Sequence, residues 1–431
     1  MADIKKVLEK SINLIKEKGA DEGQVFVTES ECREFNAESG KFTLFRTLFE
    51  QDVNVTVYKE QKKGSYLSNK LDDEAVNYAV DMAMTAMESS EQDEAYGIAP
   101  YQGDVKADKG VYDVDIDKLF ERAKELLEDI RQNHPKIVIQ QMVVSHRKRH
   151  MVFANTNGTF CEEKTGMYAF YVGIAGHEGD VTTSLIYCEV KMNNLDKPFM
   201  DCGDVREQIR IAEEQIAMKP LEGKFTGVMV LTPTCFSQFL AYIAGLVNGG
   251  LILDGTSIWL DKLGKQVADT RLTVKMAPLD ENIVCGETLT FDGFISENYD
   301  LIKDGVLSSF ILNQYYAKKT GYERAKNGAY NMVVNPGEKS LEEIISSIEK
   351  GIIVGGFSGG QPAINGDFSG VAKNSFLVEN GKIVGPVTET MINGNLATML
   401  MNLVDISKEV LMNGYDVLPY AAFDGIIVSG K

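Results

Sequence analysis

Residues 364–387 read INGDFSGVAKNSFLVENGKIVGPV, and this stretch sets the class of the C-terminal half. Two β-type segments, Ser375–Val378 and Lys382–Val384, flank an Asn-Gly pair, which accepts the left-handed backbone of a tight turn. The same texture runs through everything beyond Lys224. Val228–Leu231 and Gly351–Val354 are short apolar runs between turns, and NG, DG and GD pairs recur. Helices are few. One is expected over about Thr234–Val247. Another follows Ser340, where Ser-Leu-Glu-Glu makes a capping box and Ile344, Ile345 and Ile348 face inward.

The first half has a different rhythm. Ile4, Val7, Leu8, Ser11 and Ile15 share one helical face, and Gly19 stands where a C-cap belongs. Strand-like segments follow from Gln24 to Ser68, with Val53, Val55 and Val57 alternating, and a second helix covers about Asp73–Met87. Ser89–Gly110 is polar and strand-poor, and reads as a linker. The cycle restarts with Ile116, Leu119, Phe120, Ala123, Leu127 and Ile130 on one face, stopped at His134-Pro135. Strands run from Lys136 to about Met192, and a helix covers about Asp204–Met218. The expected fold class is α+β. Residues 1–220 form a domain of two related helix/meander halves, and residues 221–431 a predominantly β domain.

Composition narrows the function. The 431 residues carry 63 acidic against 44 basic side chains, a formal charge of −19. Direct nucleic-acid binding, which needs surplus cations to displace counterions, is not expected. The start is charged and amphipathic, unlike a secretory signal. The longest apolar run, Phe239 to Val247, is too short to span a bilayer. Six scattered cysteines without a CxxC pair read as free thiols of a reducing cytoplasm.

Three motifs invite chemistry. SHRKRH (residues 145–150) spaces two of the four histidines at i, i+4, as a zinc helix would. Strand-like Val143-Val144 and Met151-Val152-Phe153 flank it, and three consecutive cations would repel a divalent ion. It is expected on an exposed hairpin turn, not at a metal. GFSGG (residues 356–360) matches G-x-S-x-G, but Gln361-Pro362 follows where a helix must begin, and no histidine lies downstream. Ser358 is expected in a glycine turn. His134 and His177 are isolated, and no Walker loop, dinucleotide fingerprint or EF-hand spacing appears. No cofactor is expected.

Larger landmarks carry a resemblance. INGDFSGVAKNSFLVENGKIVGPV, then INGN (residues 392–395), is similar to the C-terminal signature of the TldD/PmbA family, once called modulators of DNA gyrase. LDKLGKQVAD (260–269), IKDGVL (302–307) and the closing LPYAAFDGIIVSGK resemble the family in the same order. The family's metal-bearing branch is a cytoplasmic zinc peptidase. It has an HExxxH helix, with the Glu as base beside the metal-bound water, and a C-terminal cysteine ligand. Counting back from Gly255-Thr256-Ser257 puts the histidine positions near Leu240 and Gly245, the glutamate near Ala241, and the cysteine near Asn413.

The resemblance is therefore to the PmbA/TldE branch that lacks the zinc motif. It implies a non-metal subunit that pairs with a metal-bearing TldD-like partner to degrade or mature peptides, or that self-associates when alone. Gly366, Asp367, Phe368, Ser369 and Gly370 are the candidate peptide groove or interface, against a plain turn. Two other readings stand beside it. One is an independent hydrolase, with Asp367 and Ser369 as first suspects. The other is a peptide- or protein-binding adaptor of the gyrase-modulator type.

Overall fold

A computed structural model describes residues 3–388 and 390–431. Its N-terminal half runs α1 (Ile4–Glu17), β1 (Glu22–Glu38), β2 (Lys41–Lys59), β3 (Lys62–Ser68), α2 (Asp73–Glu88) and β4 (Asp104–Gly110). It continues with α3 (Ile116–Asn133), β5 (Ile137–Asn155), β6 (Phe160–Glu178), β7 (Val181–Thr182), β8 (Ile186–Met192) and α4 (Val205–Glu214). Helix, meander, helix thus occurs twice, and the halves join where β1 and β5 pair antiparallel. Asp3, Asp72 and Asp115 cap α1, α2 and α3 by accepting backbone N–H groups of the first turn. Val25, Val27, Val53, Val55 and Val57 are fully buried against α1 and α2. Each contributes about 1.5–3 kcal/mol, so a one-residue slip that exposed all five is strongly disfavoured.

The stretch read as a linker holds a strand. β4 runs parallel to the first part of β6, from Asp104↔Phe160 to Gly110↔Gly166, and β8 takes the rest of that edge. Its sequence, DVKADKG, is charged because it is an edge strand with little to bury.

The C-terminal half contains β9 (Lys219–Pro220), β10 (Lys224–Leu231), α5 (Pro233–Leu246), α6 (Gly249–Leu253), β11 (Val274–Met276), β12 (Tyr299–Lys303) and β13 (Val306–Leu307). Next come α7 (Gln314–Thr320), β14 (Met332–Val334), α8 (Leu341–Ser346), β15 (Lys350–Val354), β16 (Gly356–Ser358), β17 (Asp367–Lys373) and β18 (Ser375–Glu379). It closes with β19 (Lys382–Thr388), β20 (Thr390–Asn395), α9 (Leu396–Met401), β21 (Leu403–Met412) and β22 (Val417–Ser429). The expected capping box starts α8: Ser340 and Glu343 bond each other's backbone N–H groups. β22 is the hub, pairing with β10, β14, β20 and β21. α5 covers the sheet at β22 and β10. One apolar cluster crosses between the halves, joining Phe199 and Ile209 to Ile344, Ile353 and Phe376. Among the described residues, no helix is long and apolar enough to cross a membrane.

Candidate functional site

Helix α5 (PTCFSQFLAYIAGL) begins at Thr232, whose hydroxyl accepts the N–H of Cys235, with Pro233 in the first turn. Phe236, Phe239, Leu240, Ile243 and Ala244 point into the core, each at most 1% exposed. Thr234, Ser237, Gln238, Ala241, Tyr242 and Gly245 form the outer side. The positions that the resemblance assigns to the histidines diverge here. Leu240 is a core residue, whereas Gly245 is half-buried and has no atom within 4 Å of an added Cβ. Ala241, where the resemblance puts the glutamate, is exposed.

Asn413 sits in the turn between β21 and β22, which folds back toward the start of α5. Its side-chain oxygen accepts the N–H groups of Tyr415 and Asp416, each at 2.9 Å. Asp416 then receives the Ser237 hydroxyl at 2.7 Å and the Met332 N–H at 2.8 Å. These elements bound a cavity of about 470 Å³, together with the stacked rings of Tyr171 and Tyr187. Burial raises the carboxyl pKa of Asp416 and of Asp204 against the hydrogen bonds they accept. Tyr415 donates to Glu189, and Lys191 stands 4.0 Å above the Tyr415 ring. A hydroxyl, an amide and a carboxylate that is already satisfied do not make a zinc donor set. Among the described residues, no three His, Cys, Asp or Glu side chains converge as one.

The GDFSG segment forms the start of β17, paired antiparallel with β20 so that Asp367 faces Asn395 and Ser369 faces Asn393. Asn395 donates to Asp367 at 2.9 Å, Asn365 donates to the same carboxylate at 2.7 Å, and Ser369 donates to Asn393. Asp367 and Ser369 are exposed, while Phe368 is buried edge-on against Phe239 of α5, ring centres 5.3 Å apart. The structure thus brings the segment onto α5 through its apolar residue. The other edge of β17 is also occupied: Ala363 N–H donates to the Asp367 carbonyl and Ser369 N–H to that of Gly360. Gly366 has φ +85°, and a Cβ on Gly370 would stand 2.2 Å from the Gly359 carbonyl oxygen.

The PmbA/TldA metallopeptidase central domain matches residues 109–203, and the C-terminal domain of the same family matches residues 225–430. The chain belongs to the PmbA/TldD metallopeptidase family. It is 25% identical to the metalloprotease PmbA of Escherichia coli O157:H7 over 371 residues, 83% of this chain and 81% of that one. TldE from Thermococcus kodakarensis superposes with a TM-score of 0.86 at 20% identity, covering 98% of this chain and all of that one. A candidate modulator of DNA gyrase from Bacteroides thetaiotaomicron gives 0.86 at 23% identity, with both chains fully covered.

Within this PmbA/TldD-family chain the HxxxH pair lies on a strand, not on the expected hairpin turn. His146 and His150 both fall inside β5, which is paired along its length with β1 and β6. They share a face of the strand but stand roughly 13 Å apart along it. His146, 1% exposed, holds the Val111 carbonyl at 2.7 Å, and burial lowers its pKa. His150 lies 3.0 Å from Glu162 and 3.6 Å from Glu29. The cations between them neutralise carboxylates, as Lys148 does at Glu31. The histidines read as isolated have partners too: His134 meets Glu213 at 3.1 Å and His177 meets Thr182 at 2.9 Å. Ser358 ends β16, just before left-handed Gly359 and Gly360, and no helix follows.

Sequence reasoning missed a larger cavity, about 1390 Å³, between the N-terminal sheet and the segment Cys285–Phe291. Glu163, 5% exposed, receives the Thr288 hydroxyl there and stands 3.6 Å from Lys109 and 3.7 Å from Arg149. Phe26 and Phe291 stack across the two halves. CGETLTF (residues 285–291) carries no motif, so only the fold reveals it as a wall.

Proposed function

We propose that this chain is a non-metal, TldE-like subunit of a cytoplasmic TldD/TldE-type metallopeptidase, which helps shape the site and present extended peptides. The observation that carries this reading is α5. Within the matched C-terminal domain it turns aliphatic and aromatic side chains into the core and offers only neutral hydroxyl, amide and methyl groups outside. Peptide hydrolysis needs an activated water or nucleophile. The four histidines of the chain all precede α5, and each has a structural partner. In the cavity beside α5, Asn413 and Asp416 are committed to holding the turn before β22.

The test is reconstitution. The chain alone should cleave no unfolded peptide above background and should hold no stoichiometric zinc. Mixed with a family member that retains HExxxH, it should support cleavage that a chelator abolishes. Chelator-resistant cleavage by the chain alone, persisting through further purification, would refute the subunit reading.

A further inference from the structure

The cavity beside the start of α5 has a one-sided charge. Among the described residues its wall carries the carboxylates of Glu189, Asp204 and Asp416 and no Lys, Arg or His side chain, and none of these carboxylates is ion-paired. Asp416 accepts the Ser237 hydroxyl and the Met332 N–H, which engages part of its capacity, since a carboxylate has about four acceptor sites. Asp204 accepts the Gln208 amide at 2.7 Å and the Thr234 hydroxyl at 3.5 Å. Neutral donors satisfy lone pairs and leave the net charge in place. Burial raises both carboxyl pKa values, and a positive group brought beside them stabilises both anions.

Aromatic rings complete the match. Tyr171 of β6 and Tyr187 of β8 stack with ring centres 5.4 Å apart, and Tyr330 and Tyr415 stand on the wall with them. Tyr187 and Tyr330 are 48% and 54% exposed, so their rings are open to a ligand entering from solvent. The face of a tyrosine ring attracts an ammonium held within about 6 Å of its centre. Tyr415 already does so inside the protein, with the Lys191 Nζ 4.0 Å from its ring centre. Size then separates one kind of cation from another. A cavity of about 470 Å³ is too roomy for a bare metal ion, and no three carboxylates of the described residues converge as metal donors. An ammonium on an alkyl stem fits, the stem along the rings and Leu418, the head at Asp204 and Asp416. The larger cavity is unlike this one, because there Arg147, Lys148 and Arg149 already stand among the carboxylates.

We propose that the cavity beside α5 binds an alkylammonium group, with Asp204 and Asp416 receiving the charge and the rings of Tyr171 and Tyr187 holding the stem. A lysine side chain in an extended peptide and the head of a small free amine share this chemistry. The inference does not rest on the subunit role proposed above, since binding is measured on the chain alone, with neither partner nor metal.

Calorimetric titration of the full-length protein with N-acetyl-lysine N-methylamide, its norleucine analogue and n-pentylamine tests this. The lysine compound should bind at least about ten-fold more tightly than the norleucine analogue, which has the same carbon stem and no charge. Tighter binding of the lysine compound than of pentylamine assigns the source to a peptide side chain, and the reverse order assigns it to a free amine. Asp416→Asn keeps hydrogen-bonding groups for Met332 and Ser237 and should weaken binding by about ten-fold. Because Asp416 also holds the turn, a second variant stands apart from it. Tyr187→Leu alters a half-exposed ring and should weaken binding about three-fold, whereas Tyr187→Phe should not. Absence of saturable binding of either amine at millimolar concentration would overturn the proposal. So would equal affinity for the norleucine analogue, or an affinity unmoved in both Asp416→Asn and Tyr187→Leu.

Discussion

β5 and α5 make an instructive pair. β5 has two histidines at a metal-like spacing and no metal geometry; α5 is the helix to which the resemblance assigns a metal motif, and it carries no histidine. On a strand, four residues span more than two sheet spacings, so His146 and His150 each find a different partner. On a helix the same interval would be one turn. Spacing acquires chemical meaning only once the element is known. α5 is the converse case, a helix whose inward side chains are given over to packing.

The sharpest way to break this contrast is to ask what α5 now does. Phe239 is fully buried between Phe357 and Phe368, ring centres 5.3 Å from each. Phe239→Ala should cost about 3–5 kcal/mol in chemical denaturation, the largest effect expected here. A loss under 1 kcal/mol (roughly one core methylene) would mean that α5 is not a packing element.

Next comes an attempt to write the zinc motif into α5. Leu240→His places an imidazole among core residues, at a cost of about 2–4 kcal/mol from lost packing and a buried polar group. It should bring no zinc by elemental analysis, even with Ala241→Glu and Gly245→His added. Stoichiometric zinc in the triple variant would show that the scaffold still holds a usable site.

The groove residues come third. Gly370→Ala drives a methyl toward the Gly359 carbonyl and the Phe357 ring, so a loss of about 1–3 kcal/mol in stability is expected. A bulky residue at Gly370 would therefore report folding rather than peptide binding. Ser369→Ala and Asp367→Asn change the exposed polar ladder and leave the core face alone. If residues 366–370 line a peptide groove, these two should alter peptide affinity in titration while leaving the denaturation midpoint within error. Unchanged affinity would leave the ladder a purely structural device.

How much of this was legible depended on whether local pattern and tertiary role agreed. α1, α3 and the capping box of α8 followed from apolar spacing and the residues at the helix ends, because those helices bury one stripe. The NG turn at Asn380-Gly381 likewise appears, with both residues left-handed. β4 and the cationic middle of β5 did not, because their side chains answer carboxylates or solvent rather than a core. Lys148 needs Glu31, which lies over a hundred residues away, and no local window contains both.

The smallest effect belongs to His146, and it returns to β5. The imidazole is 1% exposed, and burial sets its pKa below the ordinary 6.5 although the Val111 carbonyl opposes the shift. A group whose folded pKa is depressed binds more protons unfolded than folded across the interval between the two values, so stability there rises with pH. His146 should therefore contribute fully above pH 6.5 and progressively less as pH falls through its folded pKa. Thermal unfolding of wild type and His146→Gln across pH 5 to 8 should show part of the acid-side loss of Tm disappear in the variant, over a common fall from other groups. Added zinc should leave both profiles unmoved, because a structural histidine answers protons and not metal. Should zinc raise the Tm of wild type alone, the strand pair would be a metal site after all, and the contrast with α5 would collapse.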